Sequence, residues 1–216
     1  MTAKHGDARR ASEAPAKRLI VIGASAGGVE AVAHLVAHLP QDLPAAVAVV
    51  VHHPAAHPSG LATILARAGR LPAIDARDGE VLRPGRIVVA ASDHHLVVQD
   101  GRARLLDGAR VNRVKPAIDP LFQSAALEYG RGLVAVVLTG ALHDGSAGLV
   151  TVRRAGGVAV VQDPWDAAFG AMPWSALDAA GADYIVSLAD MPPLLDRLVR
   201  QRKPPGTGRL PAAVRL

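Results

Sequence analysis

The sequence predicts an α/β protein built on a doubly wound, mostly parallel sheet of the Rossmann-like, three-layer kind. Short aliphatic runs alternate along the chain with segments whose apolar residues recur at helical spacing. Two of the runs, 19–22 and 132–138, end in glycine-rich turns before a helix, as strands of such sheets do. An Asp-Gly pair at 100–101 between two short strands adds a small antiparallel hairpin.

Each element follows from its local pattern. Uninterrupted or alternating aliphatic residues indicate strands, and apolar residues every three or four positions indicate helices. The predicted strands are 19–22, 45–51, 73–75, 86–90, 95–98, 102–105, 132–138, 158–161 and 184–186. The predicted helices are 29–39, 61–67, 121–129, 149–154, 173–180 and 191–202. Ser59 and Asp119 are candidate N-caps of the second and third helices.

Length and composition predict one folded domain between two tails. A chain of 216 residues that is 50% hydrophobic can bury one substantial core. We expect residues 18–202 to fold and the tails 1–17 and 203–216 to be disordered, because the tails are polar or rich in proline, glycine and arginine. No apolar run approaches the about 20 residues of a membrane span, and the start lacks a secretory signal, so we expect a cytoplasmic protein without membrane insertion.

The net charge of +5 does not indicate nucleic-acid binding once it is placed along the chain. Residues 1–18 carry five Lys/Arg against two acids, and residues 197–216 carry six against none. The body between them is therefore mildly acidic, and six aromatic residues leave little for base stacking. The absence of cysteine excludes disulfides and thiolate catalysis.

The turn after the first strand has the pattern G-x-S-x-G, written Gly23-Ala24-Ser25-Ala26-Gly27. A tight strand-to-helix turn exposes the hydroxyl of its central serine, so Ser25 is a candidate nucleophile. The same pattern also suits a phosphate-binding turn or a simple packing turn. A dinucleotide turn is disfavoured, because it needs glycine at Ser25 and an acid after the second strand, which ends in His52-His53.

Three strands end in reactive residues, namely Ser25, His52 and Asp144. The carboxyl ends of neighbouring parallel strands meet at one edge, where a histidine can take the serine proton and an aspartate can hold the imidazole. Each residue alone also has an ordinary interpretation, as a packing turn, a satisfied core histidine and a turn aspartate. A metal at His52-His53 is disfavoured, because adjacent strand residues point to opposite faces.

Six separated motifs resemble the catalytic domain of the chemotaxis protein-glutamate methylesterases, the CheB family, and occur in its order. They are GASAGG at 23–28, His52-x-Pro54, AASDHHL at 90–96, PAIDPLF at 116–122, LTG at 138–140 with Asp144-Gly145, and VQDP at 161–164. The resemblance runs from about Arg18 to about Val199. It implies Ser25 as nucleophile, His52 as general base and Asp144 as orienting carboxylate, with no cofactor. No metal is expected either, because no pair of histidines has the spacing and strand context of a metal site.

The resemblance implies hydrolysis of glutamate 5-O-methyl esters on chemoreceptors, and many family members also deamidate receptor glutamines. The implied partners are methylated chemoreceptor helices, with a chemosensory kinase or a separate receiver protein in trans as further candidates. Backbone N–H groups after Ser25 and near Ala141 are the expected oxyanion donors. The competing hypothesis is a catalytically idle, CheB-like binding or scaffold module in a chemosensory system. An esterase of another acyl ester is a more distant alternative.

The chain also departs from the family pattern. Family members usually carry an N-terminal receiver domain, which the seventeen residues before the first strand cannot hold, so we expect a stand-alone esterase domain. Ala26, Val51, Ala141 and Ala171 replace residues common in the family. These substitutions lie close to the site, so they bear on receptor preference and rate more than on the type of reaction.

Five of the eight histidines other than His52 stand in or close to the motifs above, and none of them has a role in this assignment. His52 is preferred over His53 because the family histidine stands two residues before the proline. We expect the others, His57, His94, His95 and His143, to be surface or rim residues.

Overall fold

The computed structural model describes residues 14–52 and 60–201. The strands are β1 (Leu19–Ala24), β2 (Ala46–Val51), β3 (Ala73–Asp75), β4 (Ile87–Val89), β5 (His95–Gln99), β6 (Arg102–Leu106), β7 (Leu133–Val137), β8 (Val158–Gln162) and β9 (Tyr184–Val186). The helices are α1 (Gly28–Ala37), α2 (Leu61–Ala68), α3 (Ile118–Tyr129), α4 (Ser146–Arg154), α5 (Ala171–Ala180) and α6 (Met191–Arg200). None of these helices is long and apolar enough to cross a membrane.

Seven strands form one parallel sheet in the order β3-β4-β2-β1-β7-β8-β9, which confirms the predicted fold class. The strand β1 lies at the centre, between β2 and β7. The chain leaves β1 through α1 on one face of the sheet, whereas it leaves β7 through α4 on the other. The two connections therefore diverge at the carboxyl ends of these strands, which is where open α/β sheets form their binding crevice.

Both faces of the sheet are covered, which explains the uninterrupted aliphatic runs. In β1, Ile20 and Ile22 point to the layer formed by α1, α2 and α6, and Leu19 and Val21 point to the layer of α3, α4, α5 and the hairpin. Every residue of β1, β2 and β7 is buried. The fully buried central strands therefore fix the positions from which the loops at their carboxyl ends begin.

The predicted hairpin is confirmed, because β5 and β6 pair in antiparallel register. The turn residues Asp100 and Gly101 have φ values of 52° and 66°. Two positive φ values at the centre of a two-residue loop are typical of a type I′ turn, whose twist matches that of the strands.

The sequence predicts that Asp119 caps its own helix, and this prediction is wrong. Helix α3 begins at Ile118, and its first N–H groups, those of Ile118 and Asp119, donate to the carboxylate of Asp144 at 2.6 and 3.3 Å. Asp119 lies in the first turn, is buried, and accepts the backbone N–H of Gly148 at 2.7 Å. Because the first N–H groups of a helix lack intrahelical acceptors, Asp119 caps the neighbouring helix α4. The other candidate cap, Ser59, lies outside the described residues.

Several element boundaries differ from the prediction. Ala16, two residues before the predicted start of the folded domain, is buried and donates its N–H to the carbonyl of Leu82 at 2.7 Å. Helices α4 and α5 begin earlier than predicted, because the first turn of a helix accommodates residues such as Gly148 and Pro173.

Candidate active site

Ser25 lies in the turn between β1 and α1, and its N–H donates to the carbonyl of Thr139 at 3.0 Å. Gly27 has a φ of 70°, which glycine adopts without strain. A Cβ atom on Gly140 would lie 2.9 Å from the Cβ of Ser25, so a larger residue there would displace the serine. The small residues of the motif are therefore needed for the backbone to turn this tightly while the hydroxyl stays accessible.

His52 follows β2 and donates its N–H to the carbonyl of Ala24 at 3.1 Å. Its Nδ1 lies 3.1 Å from the Oγ of Ser25, and its Nε2 lies 2.8 Å from the Oδ2 of Asp144. The structure thus brings the three residues predicted from the sequence into one hydrogen-bonded series. His53 and His57 lie outside the described residues.

Asp144 is almost fully buried, and burial alone would raise its pKa. The hydrogen bond from His52, followed by those from the Ile118 backbone and the Asn112 amide, holds the pKa of this carboxyl below its ordinary value. An ionised carboxylate only accepts hydrogen bonds, so the ring proton of His52 sits on Nε2. The Nδ1 lone pair then faces Ser25, which is the tautomer that can accept the hydroxyl proton.

Asn112 is a residue of the site that the sequence analysis missed. Its Nδ2 donates to the Oδ1 of Asp144 at 2.7 Å and to the Oδ2 of Asp119 at 2.8 Å. Both partners are carboxylates, which identifies the facing atom as the amide nitrogen. Asn112 and Arg113 have φ values of 52° and 68°, in a two-residue turn of the type I′ kind. Asparagine tolerates this conformation better than most residues, which is the one local signal that singles it out.

Asp119 extends this group of hydrogen bonds to α4. Both of its oxygens accept hydrogen bonds, one from Gly148 and one from Asn112, which is the pattern of an ionised carboxylate. Burial and the nearby charge of Asp144 raise the pKa of Asp119 above its ordinary value. The two carboxylates are therefore held close together by the amide of Asn112 between them.

The sequence predicts that His95 is a surface or rim residue, but His95 is buried. Its Nδ1 accepts the N–H of Ala117 at 3.2 Å, so its Nε2 carries the proton and donates to the carbonyl of Ala109 at 2.9 Å. His95 thereby joins the two ends of the loop that carries Asn112. Of the other spare histidines, His143 is exposed and His94 is half-buried.

Two backbone N–H groups beside Ser25 are available to an anion. Within residues 14–52 and 60–201, neither the N–H of Ala26 nor that of Ala141 has a hydrogen-bond acceptor. Both belong to the loops expected from the sequence to supply oxyanion donors. A surface depression of about 650 Å³ lies elsewhere, between α2 and β3, and its lining includes none of the three residues Ser25, His52 and Asp144.

A parallel α/β sheet with a serine, a histidine and an aspartate hydrogen-bonded in series at its carboxyl edge defines a class, that of α/β proteins with a serine-hydrolase type of site. Within that class, a family profile described as CheB methylesterase matches residues 20–195. The chain belongs to the CheB methylesterase family.

Relatives and a solved structure agree with this assignment. The protein-glutamate methylesterase/protein-glutamine glutaminase 2 of Anaeromyxobacter dehalogenans is 40% identical over 195 residues, which are 88% of this chain and 57% of that protein. The enzyme numbered 3 of the same organism is 43% identical, over 81% of this chain and 52% of that protein. The chain thus spans about half the length of these curated relatives.

The crystal structure of the Thermotoga maritima CheB methylesterase catalytic domain superposes with a TM-score of 0.80 at 33% identity. The match covers 84% of this chain and 98% of that one. The similarity therefore extends over nearly the whole of that catalytic domain.

Proposed function

We propose that the protein hydrolyses glutamate 5-O-methyl esters on methylated chemoreceptors, and that Ser25, His52 and Asp144 carry out the reaction. The observation that carries this proposal is the hydrogen-bonded series from Asp144 through His52 to Ser25 at the end of β1. Membership of the family and the names of the relatives support the same reaction.

The proposed reaction is an acyl transfer in two stages, which the hydrogen-bonded series supports. Ser25 Oγ attacks the side-chain carbonyl carbon of the ester while His52 Nδ1 takes its proton, and the charge of Asp144 stabilises the imidazolium. His52 returns the proton to the leaving oxygen, so methanol departs and an acyl-enzyme forms. Water, deprotonated by the same imidazole, then attacks the acyl-enzyme, which releases glutamate and restores Ser25.

The developing oxyanion needs donors that are already in place. We infer that the N–H groups of Ala26 and Ala141 supply them, since both lie beside Ser25 without another acceptor in the described part of the chain. One such donor is worth about 10²- to 10³-fold in kcat. An oxyanion hole made of backbone N–H groups does not depend on the side chains of the residues that form it, so alanine at positions 26 and 141 is compatible with this role.

The same site can also act on glutamine, with ammonia in place of methanol as the leaving group. The relatives carry the second name protein-glutamine glutaminase, which favours this activity as a second candidate. An idle scaffold is disfavoured, because a binding module has no need of an ordered Ser–His–Asp series. A chemosensory kinase or a receiver protein in trans as partner, and a cytoplasmic location, stay predictions from the sequence.

The test is methanol release from a methylated receptor fragment. Ser25→Ala and His52→Ala should each lower kcat by at least about 10⁴-fold, because members of a triad act as a unit. Ser175→Ala is the matched control, since that hydroxyl donates to the carbonyl of Ala171 in its own helix. Retention of activity within tenfold of wild type by Ser25→Ala would refute the assignment.

A further inference from the structure

Both tryptophans of the chain and one of its two phenylalanines are exposed within ten residues of one another. Trp165 is 86% exposed, Phe169 51% and Trp174 47%. The two indole rings meet edge to face with their centroids 6.1 Å apart. We call these three residues the aromatic patch. A contiguous group of large apolar side chains at the surface marks an interaction site, and tryptophan is enriched in the residues that dominate binding energy.

The aromatic patch is continuous with the turn that carries the nucleophile. Phe169 donates its N–H to Thr139 Oγ1 at 2.8 Å, and its carbonyl accepts the N–H of Gly140 at 2.9 Å. A ring carbon of Phe169 lies 3.5 Å from where a Cβ on Gly27 would stand. Since Gly27 and Gly140 both border Ser25, a protein side chain that reaches Ser25 brings its neighbours against Phe169, the member of the aromatic patch nearest the nucleophile in these contacts.

The segment that carries the aromatic patch is held rigidly. Asp163 donates its N–H to Val186 at 2.8 Å and accepts the N–H of Trp165 at 2.9 Å. Asp166 accepts hydrogen bonds at 2.8 Å from Gln162 and from the Leu188 backbone. A surface that is ordered before binding loses little conformational entropy when a partner docks.

The charge around the aromatic patch restricts its partner. Residues 155–196 contain six aspartates and no lysine, arginine or histidine. Two of them, Asp183 and Asp196, form ion pairs with Arg153 and Arg200, and four in the described part of the chain have no ion-pair partner, namely Asp163, Asp166, Asp178 and Asp190. This sign repels nucleic acids and anionic lipid surfaces and attracts a partner with basic residues. The only charged residue between 164 and 176 is Asp166, so the centre of the surface is apolar.

We propose that the aromatic patch is the docking surface for a segment of the protein substrate. That segment has an apolar face next to the esterified glutamate and basic residues beside it. The inference rests on the proposed function, because the substrate reaches the same nucleophile.

The first test separates docking from chemistry by using two substrates. One is a tryptophan-free, alanine-rich helical peptide with one glutamate 5-methyl ester and flanking lysines, and the other is p-nitrophenyl acetate. The double variant Trp165→Ala/Trp174→Ala should lose about tenfold or more in kcat/KM on the peptide, mainly through KM, and stay within about twofold on the small ester. Leu127→Ala, which removes an 84% exposed leucine on α3, should change neither. An equal loss on both substrates, or no loss on the peptide, would overturn the proposal.

The second test measures binding without turnover. Trp165 and Trp174 are the only tryptophans in the chain, so intrinsic emission reports on the aromatic patch without a label. With Ser25→Ala protein, the helical peptide should shift the emission to the blue, and glutamates in place of its lysines should weaken binding severalfold.

The outcomes distinguish this inference from the proposed function. A blue shift without methanol release by the wild type would refute the function and support docking. Normal methanol release without a change in emission would overturn docking and leave the function standing. Emission that changes with protein concentration alone would mean that the aromatic patch pairs two copies of the chain, which also overturns the proposal.

Discussion

Replacement of Asn112 tests whether the amide between the two carboxylates sets the activity of the site. Asn112→Gly is the cleanest change, because glycine adopts the φ of 52° freely and only the amide is lost. Arg113→Gly is its matched control, since it makes the same kind of change at the next residue, where φ is 68° and the side chain is exposed. The pair separates the hydrogen bonds of the amide from the flexibility that glycine adds to the turn.

The expected loss follows from the hydrogen bonds of Asp144. Its Oδ2 accepts from His52 and the Ile118 backbone, and its Oδ1 accepts from Asn112 at 2.7 Å and from the Asp119 backbone at 3.3 Å. Without the amide, Oδ1 keeps only the long bond, and the carboxylate is free to rotate away from His52. A hydrogen bond to a charged group is worth about 1.5–3 kcal/mol, so kcat should fall by about 10- to 100-fold.

The pH dependence gives a readout that a purely structural role would not produce. Asn112 lowers the pKa of Asp144, so its loss raises the pKa of that carboxyl and moves the acid limb of kcat/KM to higher pH. Asp119→Asn does the opposite. The charges of Asp119 and Asp144 raise each other's affinity for protons, so removal of one charge moves the acid limb to lower pH.

The assay is methanol release from a methylated receptor fragment from pH 3 to 9 for wild type, Asn112→Gly, Asp119→Asn and Arg113→Gly, with thermal midpoints measured in parallel at each pH, because the lowered pKa of Asp144 places its titration at the acid end of this range. The reasoning is refuted if Asn112→Gly stays within threefold of Arg113→Gly, or if the acid limbs of the two site variants move in the same direction. A fall in activity that merely parallels a fall in thermal midpoint would assign these residues a structural role.

Three further predictions concern residues around the site. Gly140→Ala would place a Cβ 2.9 Å from that of Ser25, so kcat/KM should fall at least about tenfold while the circular dichroism spectrum stays native; full activity would show that the turn has more room than this packing implies. His95→Leu leaves the buried N–H of Ala117 without its acceptor, which costs about 1–3 kcal/mol, and removes the donor to the carbonyl of the exposed residue Ala109, so the thermal midpoint should drop by several degrees; an unchanged midpoint would contradict this. Leu142 has a φ of 67° and is 65% exposed. Leu142→Gly therefore relieves about 1–2 kcal/mol of backbone strain in the folded state, and it costs about 0.5–1 kcal/mol because glycine loses more conformational entropy on folding. Denaturant titration should therefore show equal or slightly higher stability, and a loss above 1 kcal/mol would argue against strain at this residue.

The sheet and the Ser–His–Asp series could be predicted because both depend on local patterns and one general rule. Aliphatic runs mark the central strands, and parallel strands bring their carboxyl ends together. Ser25, His52 and Asp144 each follow such a strand, so their meeting needs no knowledge of side-chain packing. Assignment of His52 over its neighbour, by contrast, depended on the family resemblance.

The supporting residues could not be predicted, because their roles depend on distant contacts. The turn at Asn112 is seven residues from Asp119 but 32 from Asp144, and nothing local indicates which acceptors the amide meets. The cap rule led to the wrong helix for Asp119, because it considers only the helix that follows in sequence. His95 begins a strand whose burial comes from the loop folded over it, which strand periodicity does not describe.

The full burial of β1, β2 and β7 affects how the correctly folded fraction of a purified sample should be measured. A strand that is apolar on both faces stays buried after a slip of one residue, so the hydrophobic pattern alone leaves its alignment weakly defined. Alignment depends instead on strand-end bonds such as that from His52 to Ala24, and a slip of β2 would turn the imidazole to the opposite face. Misaligned molecules would keep native helix content and compactness yet be inert. Titration with a serine-reactive phosphonate would count the correctly aligned fraction, to which far-ultraviolet spectra are blind.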